Sequence, residues 1–301
     1  MKRPPAHVLV TGASGLLGTA LMERLPGEGY RPFRLERKKG DAKPEGASWD
    51  PPAGKIVLDP ALPLRSVIHL AGAGIADKLW TEKRKKLLRE SRVDATHGLA
   101  TALAALPPES RPESLIMASG IGIYGDRGKE VLTEESSDGT GFLAELARDW
   151  EDAADPAREA GIRVVSVRLG MVLSPAGGAL AKMLTPFRLG LGGRIGSGLQ
   201  GVSWIALPDA VGIFLMLVGR EDVSGPINGV STGFTTQRAF ADCLGRAVRR
   251  PTVLPLPSFA VKAMFGEMGR EILLAGQRVE PTRLLALKVQ NMELDYQSGG
   301  D

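Results

Sequence analysis

Three glycines spaced three residues apart carry the most chemistry in this chain. Gly12, Gly15 and Gly18 fall in the run Val8-Leu9-Val10-Thr11-Gly12-Ala13-Ser14-Gly15-Leu16-Leu17-Gly18, which passes from an apolar strand through a turn into an apolar helix start. Glycines so placed let the backbone turn sharply, approach a diphosphate closely and pack the helix against its strand. The anion then meets the helix N-terminus, where free N–H groups and the macrodipole favour negative charge. The spacing is Gly-x-x-Gly-x-x-Gly, not the commoner Gly-x-Gly-x-x-Gly, and no Lys-Ser/Thr follows, which excludes a P-loop. With 38 glycines among 301 residues the triplet alone is a weak signal. The strand before it and the helix after it make Gly12, Ala13, Ser14, Gly15, Leu16, Leu17 and Gly18 a nucleotide loop.

In a dinucleotide fold the end of the next strand meets the adenosine ribose. An acid there binds the 2′-hydroxyl of NAD(H), and a basic residue accommodates the 2′-phosphate of NADP(H). Both types are present: Glu36 stands where the acid belongs, and Arg37-Lys38-Lys39 follow at once. The expected cofactor is NADP(H), with NAD(H) as the alternative. A guanidinium at Arg37, with Lys38 beside it, can fork onto a phosphate while Glu36 turns to solvent on the alternating strand.

Such groups need a sheet to hold them. Leu16, Leu17, Ala20, Leu21 and Leu25 recur at helical spacing, and Pro26-Gly27 ends that segment before a second strand at 31–36. This strand, helix, strand unit is what parallel pairing requires. Further apolar strands are expected at 66–71, 113–119 and 163–169, separated by helical patterns over 81–106 and 142–159. The alternation predicts an α/β fold with a doubly wound parallel sheet. Past Arg168 the glycine-rich run 190–198 reads as loops over a site. It is followed by a helix over 208–218, a strand near 227–230, a helix over 236–248 and a linker at 251–257. The expected division is a dinucleotide domain over 1–250, with substrate-side insertions after 168, and a small mixed α/β region over 251–301.

Composition sets bounds on the rest. At 43% apolar and 24% charged, with a net charge of +4, the chain is an ordinary globular protein, and its charge alone does not imply nucleic acid. The single cysteine, Cys243, cannot form an internal disulfide and sits in an apolar helical pattern, which fits a reducing cytoplasm. No early segment has the order of a signal peptide, and the apolar stretch 213–218 is far too short to span a bilayer. A cytoplasmic protein without a membrane partner is expected.

Read together, these pieces resemble the extended short-chain dehydrogenase/reductase superfamily, and within it an atypical, NAD-dependent epimerase/dehydratase-like family with its own C-terminal domain. The resemblance is carried by Thr11 to Gly18, His69-Leu70-Ala71-Gly72, Ser91-Arg92-Val93-Asp94-Ala95-Thr96, Tyr124-Gly125-Asp126-Arg127-Gly128 and Ser203-Trp204-Ile205. Pro257, Gly266-Glu267-Met268 and Leu273 to Val279 resemble the C-terminal domain. It implies a Rossmann fold in which Leu70, Ala71 and Gly72 lie along the adenosine half of the cofactor and Ser119 faces the nicotinamide. A homodimer through two helices is the assembly this superfamily commonly uses.

Most of the superfamily pairs that serine with a Tyr-x-x-x-Lys, whose lysine lowers the tyrosine pKa for proton transfer. The pair is missing here. The tyrosines are Tyr30, Tyr124 and Tyr296, and the residues four positions on are Arg34, Gly128 and Gly300. The helix where the pair belongs reads Phe142-Leu143-Ala144-Glu145-Leu146-Ala147, and Ala206 replaces the family's usual histidine. Tyr124, just past Ser119 at the carboxyl end of a parallel strand, is the substitute expected to move the proton, with Lys129 or Arg127 to lower its pKa. By analogy with the superfamily, Lys182, Arg188, Gln200 and Trp204 line the substrate side, a mix of aromatic and basic groups suited to a small polar or anionic molecule.

The remaining signals point to structure. Lys83-Arg84-Lys85-Lys86 invites a nucleic-acid reading, but Leu87, Leu88, Ala95 and Leu99 form an apolar stripe on the same helix, so the charges read as a solvated face with one basic group near the cofactor phosphates. His7, His69 and His97 have no ligand spacing, and no metal site is expected. Two functions follow: an NADP(H)-dependent oxidoreductase acting on a small polar substrate, or a non-catalytic NADP(H)-binding regulatory protein.

Overall fold

The computed structural model describes residues 6–37, 47–50, 55–58 and 64–287. Lys38 and the side chain of Arg37, on which the NADP(H) preference rests, lie outside the described residues.

Six short segments form one parallel sheet: β1 (His7–Thr11), β2 (Arg31–Arg34), β3 (Leu64–His69), β4 (Ser114–Gly120), β5 (Arg163–Leu169) and β6 (Gly225–Gly229). Their order across the sheet is β6-β5-β4-β3-β1-β2. Near-continuous apolar runs such as Val8-Leu9-Val10 and Leu115-Ile116-Met117, all fully buried, are what a sheet covered on both faces demands. Chain order reverses at β1, which pairs with β2 on one side and β3 on the other. Ligands meet open α/β sheets in the crevice beyond such a switch point, and the glycine loop emerges there.

The helices are α1 (Leu16–Arg24), α2 (Glu82–Arg89), α3 (Ala95–Ala104), α4 (Phe142–Asp152), α5 (Asp155–Glu159), α6 (Gly178–Arg188), α7 (Leu207–Gly219), α8 (Gln237–Val248), α9 (Ser258–Gly269) and α10 (Thr282–Ala286). α1 packs beside α7, and α3 beside α5. Pro208 opens α7, where its missing N–H costs nothing. That helix buries Ile213, Phe214, Leu217 and Val218 completely; Phe214 alone contributes roughly 2–3 kcal/mol of apolar burial.

Three expectations are refined. The helix predicted over 81–106 is one rod in which α2 and α3 are joined by a π turn, Glu90–Asp94. The helix over 142–159 divides at Ala153-Ala154, because Pro156 cannot supply the N–H that would continue it. The loop-rich stretch after Leu169 contains α6, whose Leu180, Met183, Leu184 and Phe187 pack on Phe240, Ala241 and Leu244 of α8. Those four apolar residues have helical spacing, but Gly177-Gly178 ahead of them and Pro186 among them hide the pattern. Cys243 is half-buried.

The C-terminal segment lies against the sheet domain. Arg278–Val279 pairs in parallel with Val131–Leu132, and Leu284 of α10 joins the main core.

Candidate functional site

The glycine loop is built by close backbone approach. Gly12 has φ +65, and a Cβ on it would lie 2.8 Å from the Leu70 carbonyl and 2.9 Å from the Ala71 nitrogen. A Cβ on Gly18 would lie 2.2 Å from the Gly12 oxygen. The first glycine therefore seats the loop on the end of β3, and the third seats α1 on the loop. Gly15 is the N-cap of α1, with no side-chain cap and no acid in the first turn. An uncapped N-terminus beside exposed Ser14 and Gly15 leaves amides that suit a diphosphate.

Behind the loop runs a buried polar chain. Thr11 Oγ1 accepts from the Leu70 and Ala71 amides at 3.1 and 3.2 Å, which uses both of its lone pairs. Its proton therefore goes to His69 Nδ1 at 2.7 Å, and His69 must carry its own hydrogen on Nε2, donated to Thr96 Oγ1 at 2.9 Å. Trp150 Nε1 donates to the same Thr96 oxygen. Burial without an acid partner lowers the His69 pKa to about 4. The unfolded chain then binds the extra proton between pH 6.5 and 4, so stability falls as pH falls through that window, by about 3 kcal/mol for this group. Urea unfolding across the window should show that loss in the wild type and lack it in His69→Gln, which keeps one donor and one acceptor.

Ser119 is the last residue but one of β4, two residues beyond the His69–Met117 pairing of β3 with β4. Its hydroxyl donates to Glu151 Oε1 at 2.7 Å. Glu151, on α4, accepts a fork from Arg168 of β5, Nε and Nη2 each at 2.9 Å. Arg168 Nη1 donates to the Tyr124 hydroxyl at 3.0 Å, and that hydroxyl donates to Asn228 Oδ1 at 2.7 Å. Asn228 in turn donates through its backbone N–H to Glu134 Oε1 and through Nδ2 to the Glu280 carbonyl. Burial opposes the Arg168 charge, but the hydrogen bonds and charge of Glu151 outweigh it and raise the Arg168 pKa.

Tyr124 was expected to face a ligand. The structure turns it inward on the short 3₁₀ turn Ile121–Tyr124, where its ring is fully buried under the Arg168 guanidinium, 5.3 Å from the ring centroid. Burial raises its pKa, with Arg168 opposing. Neither Arg127 nor Lys129 approaches it: Arg127 forks onto Glu130, and Lys129 is exposed.

The expected substrate-side residues each engage a different part of the chain. Lys182 reaches across to Asp77 Oδ1 at 2.6 Å and the Ala76 carbonyl. Gln200 Nε2 is held by the Ile195 and Leu273 carbonyls, Arg188 is exposed at the far end of α6, and Trp204 lies half-buried in the strand pair 171–173 with 204–206. Three residues that the sequence reading did not select shape the site instead. Glu151 and Arg168 form its buried ion pair. Glu271 caps α4 from the C-terminal segment, accepting from the Phe142 and Leu143 amides at 3.0 and 2.8 Å. A buried acid on an apolar helix face was the one local hint of the first. The cap spans 129 residues and leaves no local signal. Among the described residues no cluster of metal-ligating side chains is present, and no helix is long and apolar enough to cross a membrane.

The switch-point glycine loop, the six-stranded parallel sheet and the serine near the end of β4 define a dinucleotide fold of the extended short-chain dehydrogenase/reductase type. A model of the NAD dependent epimerase/dehydratase family matches residues 8–228, and the chain belongs to that family. A domain of unknown function, DUF1731, matches residues 256–288. An epimerase family protein of Mycobacterium bovis is 42% identical over 279 residues, 93% of this chain and 91% of its own. The crystal structure of human epimerase family protein SDR39U1 (isoform 2) with NADPH has 35% identity and a TM-score of 0.82, over 93% of this chain and 92% of that one. A UDP-glucose 4-epimerase of Thermus thermophilus, solved with NAD, shares the fold at 18% identity and a TM-score of 0.68, over 93% and 92% of the two chains.

Proposed function

We propose that this chain is an NADP(H)-binding oxidoreductase of the epimerase type acting on a small polar substrate. The observation that carries the nucleotide part is the loop itself, where Gly12 and Gly18 leave no room for a Cβ and α1 opens without a cap. The human relative solved with NADPH supports the choice of the phosphorylated dinucleotide. NADP(H), when bound, supplies hydride exchange with the substrate carbon. The loop from Gly12 to Gly18 would hold its diphosphate and Leu70, Ala71 and Gly72 its adenosine side, and Arg37 and Lys38 are the residues that the sequence offers for the 2′-phosphate.

Ser119 and Glu151 do the proton work in this reading. The Ser119 proton is committed to Glu151 Oε1 at 2.7 Å, so Ser119 Oγ presents lone pairs, and a substrate hydroxyl donates to them. The substrate proton passes to Ser119 Oγ as the Ser119 proton moves to Glu151 Oε1. Arg168 holds the carboxylate in line from both oxygens, and Tyr124 braces Arg168, which makes Tyr124 a positioning residue.

A substrate screen following NADPH absorbance tests this. Ser119→Ala should lower turnover by about 100-fold or more. Tyr124→Phe should leave kcat within a few-fold and cost about 1–3 kcal/mol of stability, since Arg168 and Asn228 each lose a partner. A folded Tyr124→Phe without turnover would return the proton to Tyr124. A second reading, a non-catalytic NADP(H)-binding regulator, draws on the lack of a Tyr-x-x-x-Lys in α4, which runs Phe142-Leu143-Ala144-Glu145-Leu146-Ala147. Partner capture gated by NADPH, without turnover of any substrate, would favour it.

A further inference from the structure

The π turn Glu90–Asp94 directs two polar side chains at the loop that leaves β3. Ser91 Oγ accepts from the Ala73 amide at 3.1 Å and donates to the Leu88 carbonyl at 3.2 Å. Arg92 lies close to the Gly72 backbone and over the Trp150 ring. A Cβ on Gly72 would be 3.2 Å from Arg92 Cζ, and the ring centroid is 5.0 Å away. Isolated π turns in long helices recur where a side chain is re-aimed for function. The parallel pairing of His69 with Met117 puts the chain leaving β3 and the Ser119–Gly120 end of β4 at the same edge of the sheet.

The charge balance at this point is unusual. Among the described residues Arg92 has one hydrogen-bond acceptor, the Leu88 carbonyl, at the long distance of 3.5 Å. Arg84, from the basic run on α2, gives one nitrogen to the Gly74 carbonyl, while its Nε is buried with no partner. Among the described residues no carboxylate forms a salt bridge with Arg92, whereas the Arg84 charge acts on the nearby Asp77 carboxylate, which is itself paired with Lys182. Burial, and after it the like charge of Arg84, lowers the Arg92 pKa to about 10. A half-buried guanidinium such as Arg92, with a second cation beside it and no salt bridge of its own, is costly in an empty site and favourable in one that receives an anion.

We propose that Arg92 and Arg84 form a phosphate-receiving site at the end of β3, separate from the uncapped N-terminus of α1. The inference deepens the proposed function by assigning an anionic group to the ligand beside Ser119, and it rests on that reading for the position of the nucleotide. The phosphate has two possible sources, a second ligand or the dinucleotide itself.

Titration calorimetry with inorganic phosphate and with NADPH, at constant ionic strength, tests the site in the wild type, Arg92→Met, Arg84→Met and the exposed control Lys83→Met. Phosphate should bind the wild type and Lys83→Met alike, at least 10-fold more weakly to Arg92→Met and several-fold more weakly to Arg84→Met. The Tm of Arg92→Met should be unchanged or higher, because an unpaired charge has left the interior. Phosphate that binds equally to the NADPH-loaded protein, with NADPH affinity untouched in Arg92→Met, marks a second ligand. Phosphate that competes with NADPH, with NADPH affinity also down 10-fold in Arg92→Met, marks the dinucleotide. Wild-type phosphate and NADPH binding in both arginine variants would overturn the site and leave the glycine-loop reading intact. A wild type that binds no NADPH would overturn that reading and still allow the phosphate arm to be scored.

Discussion

Gly18→Ala is expected to reduce NADPH affinity by about 100-fold or more, roughly 3 kcal/mol, and to lower Tm. The added Cβ would sit 2.2 Å from the Gly12 oxygen and 2.8 Å from Ala13 Cα. Both are backbone atoms that no rotamer change can move aside. To relieve the overlap α1 must slide away from the loop, which takes its N-terminal amides away from the anion they face. Displacements of this size are costly wherever positioned dipoles meet a charge. Gly27→Ala is the matched control, because its Cβ would meet nothing within 4 Å. Fluorescence titration with NADPH and a thermal melt of the two variants separate the clash from a general effect of replacing glycine.

The second large effect concerns the buried ion pair. Arg168→Met strands the Glu151 carboxylate and Glu151→Met strands the Arg168 guanidinium, both nearly enclosed, with side-chain exposures of 8% for Arg168 and 11% for Glu151. Removing one member of a buried pair typically costs about 3–5 kcal/mol, whereas replacing both with apolar groups is often close to neutral. Each single variant should therefore lose about 5–8 °C in Tm, and Glu151→Met/Arg168→Met should recover most of that loss. Recovery of stability without recovery of turnover would separate the pair's part in folding from its part in holding Ser119. A double variant as unstable as the sum of the singles would contradict the ion-pair account.

Much of the scaffold was legible in the residues. Continuous apolar runs such as Val8-Leu9-Val10, separated by helical periodicities, require a covered parallel sheet, and the glycine triplet marks the strand end that adjoins its switch point. What stayed hidden depends on contacts far apart in the chain. The partner of Ser119 is Glu151, 32 residues on. The cap of α4 comes from Glu271, and the basic run on α2 is only partly a solvated face. Lys85 pairs with Glu267 of α9, and Arg84 turns toward Gly74. Tyr124 was placed at a ligand because it follows a parallel strand, yet a single 3₁₀ turn reverses its direction, and turns of that kind leave little trace in periodicity. α6 was hidden by glycine and proline flanking a sound apolar stripe.

The loop from Gly12 to Gly18 remains the centre of the account, and direct titration of the wild-type protein with NADPH, beside NADH, tests it most plainly. Saturable binding of NADPH, tighter than that of NADH and lost in Gly18→Ala, is the predicted result. A folded wild-type protein that binds neither dinucleotide would contradict it.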